Sequence, residues 1–312
     1  MCKETLLNYP HPNPGDQSRQ IARGIRRRVL EHTINQNGGY LSQACSAAEI
    51  FATLYTKIMR LGPSVAPLIP PPFPGTPRIA TTGYFRGDGY NGPKAPVLDR
   101  FYFSPSHYSL VLYAALIEVG RMAPEGLAQF NQDGSTVEMI GAEHSPGMEL
   151  MTGSLAQGLS QAAGVAIARK RRKENGRVWV FMSDGEFQEG QTWEAVQTLS
   201  HYKLDNLGVY VDVNHQQCDG LMRDVMNIEP LDQRLTAFGA RVFQVDGHDP
   251  EALAAPAQKS PNGQPLFVLA NTNPCQGMPI LEKRSPKLHY VRFQNEDERN
   301  AYRRFLEEFR NK

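Results

Sequence analysis

The sequence has no apolar run approaching the ~18 residues that a membrane-spanning helix needs, so no bilayer partner is expected. Cysteine is scarce. The four present (Cys2, Cys45, Cys218, Cys275) show neither CxxC spacing nor a disulfide framework, which fits a reducing compartment. Charge of one sign is nearly balanced by the other: 33 Lys and Arg against 32 Asp and Glu leave a formal net charge of +1. Nothing in that balance points to nucleic acid or an anionic membrane surface. The N-terminal "MCKETLLNYPHPNPGDQ" lacks the charged-then-apolar layout of a signal peptide, and a cytoplasmic location is expected. Internal repeats and boundary-like linkers are also missing, so the 312 residues are expected to form a single domain. The densest basic run, "ARKRRK" at 168–173, reads as a solvated last helical turn that complements the helix dipole.

What is present changes character partway along. "QIARGIRRRVLEHTI" (20–34) places Ile21, Ile25, Val29, Leu30 and Ile34 on one helical face, and "SAAEIFATLYTKIM" (46–59) predicts a second helix. A Pro/Gly-rich stretch at about 62–98 then excludes regular structure and predicts a long loop. A helix resumes at 109–122, and Pro124 suits the first turn of another. From about 153 the pattern alternates: helix 154–171, strand 177–182, helix 192–203, strand 207–213, helix 231–239, strand 240–246, helix 250–258, strand 265–271. Strands separated by helices predict an α/β fold with a parallel sheet sandwiched by helices. A polar helix at 295–310 closes the chain, with Asn295 and Glu298 at capping-box spacing.

In such a sheet, ligands bind beyond the carboxyl ends of the strands. Asp184, in "VFMSDGEFQEG", follows one strand directly, and Asn214, in "VDVNHQQCDG", follows the next. A carboxylate, an amide oxygen and a loop carbonyl near Gln216 make a hard half-shell that suits Mg2+, with phosphate oxygens and water completing it. Upstream, "TGSLAQGLSQAAG" (152–164) offers Gly153 for close backbone approach and a helix start near Ser154 whose free N–H groups suit an anion. Together these predict a magnesium-bridged diphosphate. The cleaner triplet in "GDGYNG" (87–92) has no strand before it and no Asn closing a βαβ unit behind it, so it reads as a tight turn.

The stretch from "TGSLAQGLSQAAGVAIA" through "VWVFMSDGEFQEGQTWEA" to "LGVYVDVNHQQCDG" resembles the thiamine diphosphate-binding domain of transketolase. That family's motif opens GDG and closes with Asn about thirty residues later; here Ser183 stands for the first Gly. Similarity extends through "SAAEIFATLY", "DRFYFSPSHYSLVLYAAL", "VDGHD" and "GMPILEKRSPKLH". The resemblance implies a thiamine-diphosphate- and Mg2+-dependent transfer of a two-carbon ketol unit from a ketose donor to an aldose acceptor. It implies that Asp184, Asn214 and the Gln216 carbonyl hold the metal, with Gly153, Leu155, Gly185 and Glu186 around the cofactor. His107 matches a histidine that contacts the cofactor, and His289 a late histidine near the substrate. Glu189 matches a glutamate that pairs across the subunit interface; a solvated first-turn acid is the other reading. Two family histidines that handle the sugar are not in place. Tyr40 aligns with the first, and His144 lies near the second, either as a substitute or as a loop residue without a role. His215 is another group that could hold the substrate.

Full-length members are about twice as long, and no second parallel-sheet unit follows residue 271. The expectation is an N-terminal half that works with a separate chain carrying the pyrimidine-binding and C-terminal domains, as an α2β2 assembly. Two alternatives remain: a 2-oxoacid dehydrogenase-type decarboxylating component, and a non-catalytic regulatory subunit that kept the fold.

Overall fold

Four of the expected strands form within a residue of their expected starts, and all lie parallel in the computed structural model, which describes residues 14–73, 75, 85–151 and 153–311. They are β2 (Val178–Ser183), β3 (Leu207–Val213), β4 (Arg241–Asp246) and β5 (Leu266–Asn271). A fifth, β1 (Arg100–Phe103), joins the edge beside β2, giving the order β1-β2-β3-β5-β4. Four residues are too few to show a period, so "RFYF" carried no strand signal.

Every residue of β2 and β3 is buried, as expected for central parallel strands covered on both faces. Side chains alternate between two cores. Phe101, Phe103, Trp179, Phe181, Tyr210 and Val268 pack with α1 (Pro14–Gln36), α2 (Leu41–Thr53) and α3 (Ser109–Glu118). Tyr102, Val180, Met182, Val209, Val211 and Phe267 pack with α4 (Gln157–Arg171) and α5 (Gly190–His201). The apolar face expected on α1 is buried throughout, from Ile21 to Ile34. The closing helix, α6 (Glu296–Asn311), sets Tyr302 and Leu306 into the first core. Half of the expected capping box forms: Asn295 Oδ1 accepts from the Glu298 amide at 2.9 Å, while Glu298 Oε2 accepts from the Gln294 amide (2.9 Å), one residue before the N-cap, and not from that of Asn295.

Three expectations need correction. The helix placed at 154–171 starts at Gln157, because Ala156 sits in the left-handed region (φ 67°) and breaks helical geometry before it. Pro124 begins a 3-10 helix, not an α-helix. The basic run is only partly solvated: Arg169 is buried and its guanidinium donates to the carbonyls of Ala95, Pro96 and Leu98. That guanidinium pins the end of the 62–98 loop. Elsewhere along this loop, side chains and amides replace a ladder: Tyr90 Oη donates to Pro67 O (2.7 Å) and the Phe73 amide to Gly134 O (2.7 Å). Part of the 62–98 loop, Cys2 and the N-terminal "MCKETLLNYPHPN" lie outside the described residues. Among the described residues no helix is long and apolar enough to cross a membrane.

Candidate active site

β1, β2 and β3 are parallel, so their carboxyl ends emerge side by side, with Ser183 in register with Asp212. β2 ends at Ser183, whose hydroxyl accepts from the Glu186 amide while Glu186 Oε2 accepts from the Ser183 amide at 2.9 Å. The serine standing for the family glycine is therefore one half of a capping box, S-x-x-E, that starts a 3-10 turn at Asp184.

Asp184 is 2% exposed, and both its oxygens accept backbone amides, Gly185 and His215, each at 2.9 Å. Burial, and then the charge of Asp212, push its carboxyl well above the ordinary range. Asn214 is nearly as buried; its Oδ1 accepts from the Gln216 amide at 2.9 Å. These groups line a cavity of about 180 Å³ together with Gly153, Leu155, Gly185, Gln216, Gln217 and Cys218. Ser42, Gln43, Ser106, His107, Tyr108 and His289 line it as well. Two glycines keep the backbone close to its neighbours there: a Cβ on Gly153 would meet Ile140 Cγ2 at 2.8 Å, and one on Gly185 the Gln217 side-chain amide at 3.3 Å, contacts that a shift of either side chain would relieve.

The donors fit a hard cation. Among the described residues no group of three His, Cys, Asp or Glu could hold a metal. The set is instead one carboxylate plus neutral oxygens, which leaves coordination positions for phosphate and water. No lysine or arginine lines the cavity to offset the Asp184 charge. The Gln216 Oε1 is buried without a hydrogen-bond partner. A cluster of oxygen acceptors with no neighbouring cation is what a magnesium ion relieves.

His107 and His289 meet with ring centroids 5.0 Å apart, and Tyr40 lies 5.9 and 5.5 Å from them. Gln43 Nε2 donates to the His289 carbonyl at 3.2 Å and lies 3.3 Å from its Nδ1. Burial and the neighbouring His289 lower the His107 pKa to about 3; burial lowers that of His289 too. Both rings are thus neutral near pH 7 and can donate at one nitrogen and accept at the other. Because the folded-state value lies below the ordinary 6.5, the unfolded chain binds this proton first as pH falls. Stability tied to His107 is therefore fully present above about pH 7 and is lost progressively through the window from 6.5 down to about 3. Replacing His107 with Gln should reduce the stability lost between about pH 7 and pH 5 by about 1–2 kcal/mol, read from urea unfolding at each pH. An equal loss in both proteins would refute a buried neutral imidazole.

Other expected residues lie elsewhere. Glu186 is fully buried but does not line the cavity. Its Oε1 accepts from Ser104 Oγ and from the Ala156 amide (2.9 Å), so one carboxylate ties the ends of β1 and β2 to the approach of α4. Burial raises its pKa to about 6 against the pull of those donors. Ser154 is exposed and precedes the helix start, outside the cavity lining. Glu189 is exposed at the N-cap of α5 and its side chain makes no capping bond. His144 pairs with Glu138 Oε2 at 2.9 Å and stacks near Phe73, away from the cavity. His215 is exposed, contributing its backbone amide to Asp184. The triplet at Gly87–Gly89, expected as a tight turn, opens a five-residue 3-10 helix, Gly87–Asn91, with Asp88 paired to Lys94 and Arg86.

Several residues were missed: Ser42, Gln43, Tyr108, Gln217 and Cys218 in the lining, and behind it Asp212, fully buried on β3 beneath Asn214. It accepts from Ser46 Oγ (2.5 Å), Tyr108 Oη (2.8 Å), Thr272 Oγ1 (2.5 Å) and Asn214 Nδ2 (3.1 Å). An acid inside "LGVYVDV", a strand otherwise apolar enough for full burial, was the available signal, since a buried carboxylate demands partners.

The family model described as "Transketolase, thiamine diphosphate binding domain" matches residues 84–305. An uncharacterized transketolase family protein of Sinorhizobium fredii is 36% identical, over 90% of this chain and 92% of its own length. One of the subunits of the apulose-4-phosphate transketolase from Actinobacillus succinogenes is 31% identical, over 88% of this chain and 91% of its own. Among solved structures, the transketolase of Campylobacter jejuni superposes with a TM-score of 0.72 at 24% identity. The match covers 94% of this chain but only 43% of that one, so this chain spans under half the length of that enzyme.

Proposed function

The chain belongs to the transketolase family, and from that premise we propose that it is the thiamine diphosphate-binding N-terminal subunit of a two-chain transketolase. It transfers a two-carbon ketol unit from a ketose donor to an aldose acceptor. The observation that carries this reading is the convergence of Asp184, Asn214 and Gln216 on the cavity that also holds His107 and His289. Asp184, the Asn214 Oδ1 and the Gln216 carbonyl would hold Mg2+; Gly153, Leu155 and Gly185 would let the diphosphate approach the backbone, and Glu186 would keep that wall in place. When bound, thiamine diphosphate would supply a nucleophilic carbon for the two-carbon transfer. The protein's part is orientation. The neutral rings of His107 and His289, the latter steadied by Gln43, can direct sugar hydroxyls and carry single protons.

A separate chain with the pyrimidine-binding and C-terminal domains completes the site in an α2β2 assembly. The naming of the Actinobacillus relative as one subunit of its enzyme, and the short span against the solved enzyme, support this. Glu189, exposed and uncommitted at the start of α5, is free to meet a second copy. Mixing this chain with such a partner, magnesium and thiamine diphosphate should give ketose consumption without CO2 release, and each chain alone should give none. A normal transfer rate from this chain alone would refute the split, and CO2 release from a 2-oxoacid would replace transfer with decarboxylation.

A further inference from the structure

An amide side chain can present either end to a metal, and only the oxygen end is useful. In Asn214 the choice is made by what lies behind it. Its Nδ2 faces three groups: the Asp212 carboxylate at 3.1 Å, Tyr108 Oη at 2.9 Å and Ser46 Oγ at 3.5 Å. Each hydroxyl has a single proton, and both protons are directed at Asp212 Oδ2, from 2.8 Å for Tyr108 and 2.5 Å for Ser46. With their protons committed, the two hydroxyls can offer Asn214 only lone pairs. Turning the amide over would set its oxygen against a carboxylate and two lone pairs at once. Oδ1 is therefore held on the cavity side, beside the Gln216 amide.

We propose that Asp212 is a positioning residue: by drawing the Tyr108 and Ser46 hydroxyl protons to itself, it fixes the Asn214 amide with its oxygen toward the metal. This rests on the metal site proposed above. Its consequence is specific. A leucine at 212, close in size but without an acceptor, would release both hydroxyls to donate toward residue 214 and let the Asn214 amide reverse. A carboxylate at 214 would not need orienting, because its two oxygens are equivalent.

The test measures the magnesium dependence of thiamine diphosphate binding by calorimetry on the full chain with its partner subunit. Asp212→Leu should weaken the apparent magnesium affinity about tenfold or more, in the range seen when outer partners of metal ligands are lost. The double variant Asp212→Leu with Asn214→Asp should recover most of that loss, which a merely structural role for Asp212 would not produce. Thermal unfolding of the ligand-free proteins checks that each is folded. Should Asp212→Leu fail to fold, Tyr108→Phe removes one anchor with the charge intact and should weaken magnesium about threefold or more. Unchanged magnesium affinity in the folded variant tested, or a double variant no better than the single, overturns the proposal. Absence of magnesium-dependent binding in the unsubstituted protein would overturn the metal site itself, and this inference with it.

Discussion

Replacing Asp184 with alanine should remove magnesium-dependent thiamine diphosphate binding, by more than about a hundredfold, because the loss is of a ligand and not of an outer partner. The fold should survive. Alanine leaves the Gly185 and His215 amides without their acceptor, at about 1–3 kcal/mol each. Against that, it removes an acid whose charged form burial disfavours and whose neighbour Asp212 is a second acid. The sign of the pH dependence follows from the raised carboxyl. A folded-state value above the ordinary 3.8 means that the Asp184 contribution is fully present below that pH and is lost as pH rises through the raised value. The ligand-free chain therefore carries a cost at neutral pH that a bound dication removes, and protons compete with the metal for the same oxygens. Stabilisation by magnesium plus thiamine diphosphate, measured as a melting-temperature shift, should be larger at about pH 8 than at about pH 5. In Asp184→Ala the shift should vanish at both. A variant that still shows the full shift would move the metal elsewhere.

Much of this site could be read from the letters because its parts follow strand ends, and strands announce themselves by composition and alternation. Asp184 and Asn214 are located by β2 and β3, so finding the strands found the half-shell. The parts that escaped depend on tertiary approach. Asp212 owes its surroundings to residues 46, 108 and 272, which nothing local connects. β1 is short, and its position is set by pairing with β2. Glu186 was legible in kind, since S-x-x-E is a capping signature, yet its grip on Ser104 and Ala156 shows only in three dimensions. The helix start near Ser154 was misplaced because one residue, Ala156, takes a left-handed conformation for which alanine gives no hint. Tyr40 lies as an aromatic wall against His107 and His289, a packing contact that spacing alone does not reveal.

Among the described glycines, Gly87→Ala should be the most damaging substitution, although no binding role is proposed for the triplet it opens. A Cβ there would sit 1.7 Å from the Ser145 carbonyl oxygen and 2.4 Å from its carbon, and these are backbone atoms with no rotamer to yield. The approach is fixed from both sides: the Gly87 amide donates to Glu143 O at 2.7 Å, and the Gly147 amide donates to Gly87 O at 2.8 Å. Relief requires parting the 85–92 segment from 143–147, which breaks these bonds and disturbs Asn91, whose amide donates to Gly147 O at 3.0 Å. A loss of at least about 3 kcal/mol is expected, at the upper end for overpacking. That corresponds to a fall in melting temperature of roughly 4–5 °C or more. Asp88→Ala, which removes only ion pairs to Lys94 and Arg86, should cost about 1 kcal/mol or less. Magnesium-dependent cofactor affinity should be unchanged in Asp88→Ala, the reverse of the outcome at Asp184. The two Gly-or-Ser-Asp-Gly triplets should thus separate by experiment: Asp184, after a strand, is expected to control magnesium-dependent binding, and Gly87, in the loop, to control close backbone packing. A Gly87→Ala protein that melts with the parent would mean that 143–147 can move away, and the loop would then be a compliant flap and not a brace.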